Sequence, residues 1–385
     1  MFETSIIELS KSNFKSNIKY IQDLIGENVL LAPVIKGNAY GHGIEQFVLM
    51  AQTCCKIKIF CVYSACEALR VFKTAKAKTR IIIMGWLDND EVEWAIKNNI
   101  EYYVFDIDRL RTSIEKSKKV KKPALIHLEL ETGMNRTGFE NKELMEAIDI
   151  LKSRNARHLK LKGICTHYAG AESIANYFRV RKQYNNFKKL TSMLSNNGVI
   201  AGSYHSSSSA ATITYPKMRM DMVRVGILMY GFWPSQETFV GHSTKQKLHE
   251  DPLKRVISWK TKVMSVKSVK KGEFIGYGTH YFAERNTDIA ILPVGYGHGY
   301  SRSLSNSGVV LIHGRRAAVA GIVNMNLTIV DITDIPNVKK GDEVVLIGEQ
   351  KNNCISVSSF TAMSDQLNYE LLTRLPIDIP RQIVD

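Results

Sequence analysis

The chain has 385 residues, of which 44% are hydrophobic and 23% are charged, enough for one large globular domain and a smaller one. It contains no apolar run long enough to span a membrane, and its first residues show no basic segment followed by an apolar one, so we expect a cytoplasmic protein without a secretory signal. The net charge of +15 would suit a nucleic-acid partner, but the lysine clusters at 115–123 and 266–273 are typical of solvated connectors and no nucleic-acid-binding module accompanies them, so we expect none.

Short apolar runs alternate with helical patterns over the first 240 residues. The predicted strands are 29–37, 58–64, 79–85, 101–106, 124–131, 161–168, 199–206 and 222–229. Segments such as 141–153 and 176–194 separate them with the apolar spacing of helices. Alternating strands and helices favour parallel strands, and eight such units close a (β/α)8 barrel. We therefore predict an α/β protein with a TIM-type barrel over residues 1–240, with the first strand as a candidate member of the next domain.

The pattern changes after Gly231. Short β-like runs separated by turn residues follow, at 256–266, 288–295, 309–314 and 341–348 among others. Strands of this length and spacing indicate a separate domain. We predict that residues 241–385 form a mostly β domain.

Several reactive side chains stand where the predicted barrel strands end. They are Lys36, Glu131 with Arg136 shortly after it, His167, His205 and Arg224, with serines at 206–209. Taken singly, a lysine is usually a surface residue and a histidine is usually a hydrogen-bonded core residue. Because the chemistry of a barrel collects at the carboxyl ends of its strands, the set together predicts a cationic pocket for a phosphate or a carboxylate.

The stretch VIKGNAYGHG (34–43) places a lysine at the end of an apolar strand and glycines after it. Gly37, Gly41 and Gly43 would let the backbone approach a bulky ligand closely. Partial desolvation of Lys36 would lower its pKa and make its amine a nucleophile. A desolvated lysine beside a phosphate site is the chemistry of a Schiff base with pyridoxal 5′-phosphate.

These motifs resemble those of the alanine racemase family. VIKGNAYGHG is similar to the family's cofactor signature, with Gly37 in place of the usual alanine. Further family blocks follow in the same order: ETGMNRTGF (131–139), THYAGAE (166–172), DMVRVGILMYG (221–231), IGYGTHY (275–281) and LPVGYGHGY (292–300). The resemblance implies a pyridoxal-phosphate-dependent isomerase of free amino acids, with conversion of L-alanine to D-alanine for peptidoglycan as the expected reaction.

The resemblance also implies residue roles. Lys36 binds the cofactor and is one catalytic base, and Tyr277 is the other, reaching the active site of a second subunit in a homodimer. The remaining expected residues are Tyr40, His167, Ser209, Arg224, Gly226 and Ile227 for the cofactor, Arg136 and Met325 for the substrate, and Glu129, His205 and Tyr296 in support. His167 and His205 are expected to link Tyr277 and Arg224 in a hydrogen-bonded chain, and no metal is expected.

The two-base assignment has a chemical reason. Racemisation removes a proton from one face of the α-carbon and returns one to the other, so two bases must stand on opposite faces. Lysine and tyrosine both have an ordinary pKa of about 10, and clustered positive charge lowers both. Without the resemblance, Tyr277 would be interpreted as a half-buried strand tyrosine.

Some positions depart from the family pattern. Glu129 stands where many members carry a lysine that becomes carbamylated, and we expect its carboxylate to pair with Arg136 instead. The other departures are Ile322 for an arginine, Asn324 and Asn326 around Met325, and Ile377 for a tyrosine. A less polar entrance can change substrate preference, because one methylene discriminates by about 1–3 kcal/mol. A racemase of serine or of larger amino acids therefore stays open.

Two alternatives from other classes share parts of this pattern. A basic amino acid decarboxylase of the same architecture would use a cysteine opposite the lysine rather than the tyrosine of IGYG. A non-catalytic pyridoxal-phosphate carrier would be a single barrel, so residues 241–385 with Tyr277 and Met325 would have no part in it.

Overall fold

The computed structural model of the protein describes residues 3–357 and 368–385. It divides the chain into two compact units, which we call the barrel unit and the sheet unit. The barrel unit consists of Asn13–Lys36 and Phe47–Lys254, and the sheet unit consists of Met1–Ser12, Gly37–Gln46 and Arg255–Asp385. The barrel unit thus continues beyond the predicted boundary at residue 240, and the first strand lies in the sheet unit.

The strands, in chain order, are β1 (Ser5–Ser10), β2 (Leu30–Pro33), β3 (Ile59–Val62), β4 (Arg80–Ile83), β5 (Glu101–Val104), β6 (Ala124–Glu129), β7 (Leu159–Cys165), β8 (Tyr204–His205), β9 (Met222–Val225), β10 (Ile257–Lys262), β11 (Ser265–Val269), β12 (Thr287–Leu292), β13 (Val309–Ile312), β14 (Arg315–Ala318), β15 (Thr328–Asp331), β16 (Glu343–Gln350), β17 (Asn353–Ile355) and β18 (Arg381–Val384). The helices are α1 (Lys11–Ile25), α2 (Ile44–Cys54), α3 (Ala65–Thr74), α4 (Asn89–Lys97), α5 (Ile107–Val120), α6 (Asn141–Lys152), α7 (Tyr177–Asn196), α8 (Ser209–Thr214), α9 (Gln236–Gln246) and α10 (Asn368–Thr373).

Parallel strands β2 to β9 build the barrel unit. Strands β3 to β8 form one six-stranded sheet in chain order, and β2 pairs with β9. Backbone hydrogen bonds join the two groups at both edges: Ile35 N donates to Cys61 O at 2.8 Å, and Arg224 N donates to Ser207 O at 2.9 Å. Each strand falls within a predicted run or overlaps it, and the prediction of a TIM-type barrel is confirmed.

Local signals explain why the barrel helices begin where they do. At the start of α4, the Asp88 carboxylate accepts a hydrogen bond from Glu91 N at 2.8 Å, and the Glu91 carboxylate accepts one from Asp88 N at 2.9 Å. This reciprocal pair is a capping box, which satisfies two backbone donors at the helix end. The four residues of β3 and of β5 are all buried, as expected for strands covered on both faces.

The sheet unit contains a seven-stranded sheet and a three-stranded sheet. The larger sheet has the order β14-β13-β16-β10-β1-β18, with β17 paired to β16, and the smaller has the order β11-β12-β15. Strand β1 pairs antiparallel with β10 and parallel with β18, which explains why it belongs to this unit. The prediction of a mostly β second domain is confirmed.

A helix that crosses a membrane must be long and apolar. Among the helices of residues 3–357 and 368–385, none combines that length with that apolar character.

Candidate active site

Lys36 follows β2 at the point where the backbone turns left-handed. Gly37, Asn38 and Ala39 have φ of 61°, 53° and 53° with ψ of 47–49°. Gly41 continues with φ of 83°, and a Cβ at this position would lie 2.0 Å from the carbonyl oxygen of Leu372. We expected the glycines to admit a ligand; at Gly41 the structure gives another reason, because a neighbouring backbone segment occupies that space.

The Lys36 amine is in a cationic environment. Burial around the amine lowers its pKa, the charges of Arg136 and Arg224 lower it further, and the carboxylate of Glu67 opposes them. The residue as a whole still reaches solvent. A lysine with a lowered pKa is neutral more often near physiological pH, which makes it both a nucleophile and a base.

Arg224 is buried in β9 and is held by acceptors from the two preceding strand ends. One terminal nitrogen donates to His205 Nδ1 and, at 3.0 Å, to the His205 carbonyl. The other donates to the carbonyl oxygens of Thr166 at 2.8 Å and Ser206 at 3.3 Å. These contacts fix the plane of a guanidinium that stays charged at any physiological pH.

His167 lies beside three cationic groups of the barrel unit. Burial lowers its pKa to about 3, with further lowering by Arg224, Arg136 and Lys36. Its backbone carbonyl accepts a hydrogen bond from Gln183 Nε2 at 3.0 Å. Two histidines were expected to join Arg224 in a hydrogen-bonded chain. His205 makes a hydrogen bond with Arg224, whereas for His167 the charge of Arg224 lowers the pKa of the imidazole.

The hydrogen-bonded chain continues away from Arg224 through residues that the sequence analysis did not select. His205 Nε2 lies 2.9 Å from His127 Nδ1, and His127 Nε2 lies 2.8 Å from Glu101 Oε2. Arg80 donates to both Glu101 oxygens, at 2.8 and 2.9 Å. The sequence does show polar residues here, because His127 lies inside a predicted apolar strand and Glu101 begins another, but neither stands at a carboxyl strand end.

Protonation states along this chain follow from its surroundings. Burial lowers the pKa of both His127 and His205, and the charge of Arg224 adds to the lowering, while the Glu101 carboxylate opposes part of it at His127. Burial alone would raise the pKa of Glu101, but hydrogen bonds from His127 and Arg80 outweigh it and lower that pKa to about 2. The two imidazoles are therefore neutral and the carboxylate is ionised near neutral pH.

Arg136 stands on a loop that a carboxylate organises. Glu131 accepts hydrogen bonds from the backbone nitrogens of Gly133, of Met134 at 2.7 Å and of Arg136 at 3.1 Å. A carboxylate with several backbone donors favours its ionised form, and the pKa of Glu131 is lowered although burial opposes the shift. The loop therefore has a fixed backbone, with the Arg136 side chain 56% exposed.

Glu129 is buried at the end of β6, next to that loop. Its Oε1 lies 3.9 Å from the nearest Arg136 nitrogen, and its Oε2 accepts a hydrogen bond from the Thr137 hydroxyl at 2.9 Å. Burial raises the pKa of Glu129, and Thr137 and Arg136 offset part of that increase. The Glu129 carboxylate therefore lies near Arg136 as expected, at the longest distance that still counts as an ion pair.

Ser209 and Gly226 meet near the carboxyl ends of the last strands. The Ser209 hydroxyl accepts a hydrogen bond from Gly226 N at 2.9 Å, and Ile227 begins the short 3-10 helix Ile227–Tyr230. A hydroxyl and backbone amides are donors of the kind that hold a phosphate. In the sheet unit, the ring of Tyr40 contacts that of Tyr369 edge to face, with centroids 6.1 Å apart.

The expected residues of the sheet unit lie on its surface. Tyr277 is 72% exposed, Met325 57% and Tyr296 41%. Backbone hydrogen bonds of 2.9 Å join Tyr296 N to Asn324 O and Gly297 N to Met325 O, so these two loops are held together. Of the residues that depart from the family pattern, Ile322 and Asn324 are half-buried, and Asn326 and Ile377 are exposed.

Comparison with known protein families decides the relationship of this chain. The family model "Alanine racemase, N-terminal domain" matches residues 9–234, and "Alanine racemase, C-terminal domain" matches residues 256–383. The chain belongs to the alanine racemase family. Because both domain models match, the barrel and the sheet unit together have the organisation of that family, which a single-barrel carrier lacks.

Individual relatives agree with the family assignment. The chain is 31% identical over 384 residues to an alanine racemase of Leptospira interrogans, covering 99% of this chain and 96% of that protein. Alanine racemase of Clostridium difficile 630 has a similar structure, with a TM-score of 0.90, 28% identity, and coverage of 100% of this chain and 96% of that one. Alanine racemase from Bacillus anthracis, solved with bound L-Ala-P, gives a TM-score of 0.89, 28% identity and the same coverage.

The family assignment establishes the reaction class. The protein is an isomerase that racemises alanine with pyridoxal 5′-phosphate as its cofactor. The residues present fit that cofactor: Lys36 offers an amine of lowered pKa, and the Ser209 hydroxyl, which accepts from the Gly226 amide, still has its own O–H to donate to a phosphate.

Proposed function

We propose that Lys36 and Tyr277 are the two bases of this racemase. The observation that carries the assignment is the Lys36 amine, whose pKa is lowered by burial and two arginines at the carboxyl end of a barrel strand. The exposed phenol of Tyr277 is available to a substrate. When bound, the cofactor withdraws electrons from the amino acid and makes its α-hydrogen acidic. Lys36 Nζ and Tyr277 Oη then accept or return a proton on opposite faces.

The remaining barrel residues would hold the cofactor. We assign the phosphate to the Ser209 hydroxyl and the backbone of Gly226 and Ile227. The family resemblance implies Tyr40 as a further phosphate ligand. Arg224 would face the pyridine nitrogen. Because an arginine does not give up its proton, it would leave that nitrogen unprotonated.

The substrate carboxylate would be bound by Arg136 and the backbone of Met325. Positive charge on a loop with a fixed backbone suits a carboxylate, because little ordering cost remains when the ligand binds. Glu129 would orient Arg136 in place of the carbamylated lysine of other members. Their separation of 3.9 Å supports this pairing.

Replacing the phenol alone tests the two-base assignment. Tyr277→Phe should lower kcat for alanine racemisation about 100-fold or more, since a positioned acid or base contributes about 10²–10⁴-fold. Tyr281→Phe is the matched control, because this tyrosine belongs to the same loop but packs against the apolar core of the sheet unit. Full racemase activity in Tyr277→Phe would refute the assignment.

We also propose a homodimer in which Tyr277 and Met325 complete the active site of the partner. Their exposure supports this arrangement. Mixing inactive Lys36→Ala and Tyr277→Phe proteins, with exchange of subunits, should restore about a quarter of wild-type activity. Half of the dimers would then be mixed, and each mixed dimer would have one site with both residues intact. If both bases came from one chain, no mixture would recover activity.

The substrate range is a second question raised by particular residues. Ile322 and Ile377 put aliphatic side chains where the family has an arginine and a tyrosine, which favours some acceptance of serine or larger amino acids. A chiral assay over a panel of L-amino acids measures it. Conversion of alanine alone would show that these positions do not widen specificity.

The biological role follows from the product. We propose that the enzyme works in the cytoplasm and supplies D-alanine for peptidoglycan. Expression in a bacterium that needs external D-alanine should remove that need, and the Lys36→Ala variant should not.

A further inference from the structure

A continuous chain of polar side chains crosses the interior of the barrel unit. Arg80 and Glu101 are the first residues of β4 and β5, and the chain runs through His127 and His205 to Arg224. Barrel interiors are normally filled by branched apolar side chains. Burying charged and polar groups there is unfavourable unless each is hydrogen-bonded. All four links of this chain are made, which points to a role beyond filling space.

The chemistry of the two ends fixes the direction of every hydrogen bond. Arg224 can only donate, so His205 Nδ1 must accept, and a neutral His205 then carries its proton on Nε2. That proton is donated to His127 Nδ1, and His127 in turn carries its proton on Nε2 and donates it to Glu101. The Glu101 carboxylate only accepts, and its two bonds from Arg80 hold both oxygens in place.

No further proton fits into this arrangement. A proton on His205 Nδ1 would face the Arg224 guanidinium, and a proton on His127 Nδ1 would face the N–H of His205. Each would place two donors against one another and leave a buried polar group without an acceptor. The lowered pKa values of both histidines, and the pKa of about 2 at Glu101, agree with this assignment.

We propose that Glu101, held by Arg80, is a positioning residue of the racemase: it fixes the tautomers of His127 and His205 and thereby orients the Arg224 guanidinium. The effect on catalysis rests on the proposed placement of Arg224 at the cofactor's ring nitrogen. The tautomers themselves do not depend on that placement. Glu101 contacts neither of the two proposed bases, Lys36 and Tyr277. It acts on Arg224 through the imidazoles of His127 and His205.

The first test is spectroscopic and uses the wild-type holoenzyme. Long-range ¹⁵N–¹H spectra of histidine-labelled protein, assigned with a His127→Gln variant, report which ring nitrogen carries the proton. We expect His127 and His205 both to be neutral with the proton on Nε2 from about pH 6 to pH 9. An Nδ1–H tautomer or a charged imidazolium at either position would overturn the proposal.

The second test changes Glu101 to an isosteric amide. In Glu101→Gln, the side-chain NH₂ must face either Arg80 or His127, both donors, so mixed tautomers should appear. We expect kcat for alanine to fall about 10-fold and KM to change less than about twofold, because the substrate carboxylate is assigned to Arg136. Glu101→Asp, which keeps the charge, should recover the single tautomer.

Glu93→Gln is the matched control. Hydrogen bonds from Lys119 and Lys97 likewise lower the pKa of Glu93 to about 2, but Glu93 lies on α4, outside the chain of histidines. It should leave the tautomers and kcat unchanged. Unchanged kcat in Glu101→Gln would overturn the positioning role, and if this variant does not fold, the wild-type spectrum decides. Full racemase activity in Tyr277→Phe would refute the proposed two-base function while leaving the tautomer result intact.

Discussion

Removing the charge of Glu129 tests whether this glutamate orients Arg136. In Glu129→Gln the side-chain oxygen can still accept the Thr137 hydrogen bond of 2.9 Å, so the change isolates the charge. At 3.9 Å, two unit charges would interact by about 4 kcal/mol at an effective dielectric constant of ~20. Arg136 is 56% exposed, and pairs of this kind contribute only about 0.2–1 kcal/mol.

That range sets the expected kinetics. KM for alanine should rise about 1.5- to 5-fold in Glu129→Gln. The value of kcat should be nearly unchanged, because Arg136 is assigned to bind the substrate carboxylate equally in the ground state and in the transition state. Because burial raises the pKa of Glu129, its charge is lost at a higher pH than that of an ordinary glutamate. The KM of the wild type should therefore approach that of the variant as the pH falls through this raised pKa.

Steady-state kinetics of alanine racemisation across pH measure both effects. Glu140→Gln, which removes a charge from an exposed residue, is the control for a general change in net charge. An unchanged KM in Glu129→Gln, or equal changes in both variants, would show that Glu129 does not orient Arg136.

Two further predictions concern stability. Gly41→Ala should lower the free energy of unfolding by about 2–4 kcal/mol, because a Cβ at φ of 83° would also meet the Leu372 carbonyl oxygen at 2.0 Å. The control Gly26→Ala, at φ of 77° with no atom within 4 Å, should lower it by only about 1–2 kcal/mol. Urea unfolding measures both, and equal losses would contradict the steric argument. The pKa of Glu101 is about 2 against an ordinary value of 4.5, so its ionised form stabilises the fold above about pH 4.5 and that contribution is lost as the pH falls towards 2. The urea midpoint of Glu101→Gln should therefore fall less steeply with acid than that of the wild type. Parallel plots of urea midpoint against pH for the two proteins would argue against a low native pKa.

The strand pattern was predictable because the barrel strands are buried on both faces and read as short apolar runs. Positions at the carboxyl ends of strands could be selected for the same reason, and Lys36, His205 and Arg224 were selected by that rule. His127, Glu101 and Arg80 were missed because they lie within or at the amino ends of strands, where an isolated polar letter is indistinguishable from a satisfied core residue. Which side chains share the barrel interior depends on the register between strands, and a single sequence does not encode register locally.

The close contact at Gly41 was missed for a related reason. We predicted that the glycines admit a ligand, but the group that approaches Gly41 is the backbone of Leu372, which is far away in the chain. Long-range packing decided what approaches. The departure at Glu129 was interpretable from the family resemblance, because its carboxylate stands where many members carry a carbamylated lysine, although the distance of 3.9 Å was not predictable.

Hydrogen exchange at the α-carbon in D₂O tests the two-base assignment most directly. The wild-type enzyme should exchange the α-hydrogen of both enantiomers of alanine. In Tyr277→Phe, Lys36 remains on one face only, so exchange should persist for one enantiomer, without inversion, and be lost for the other. Continued exchange of both enantiomers at wild-type rates in Tyr277→Phe would contradict the account, because a base other than Tyr277 would then serve the second face.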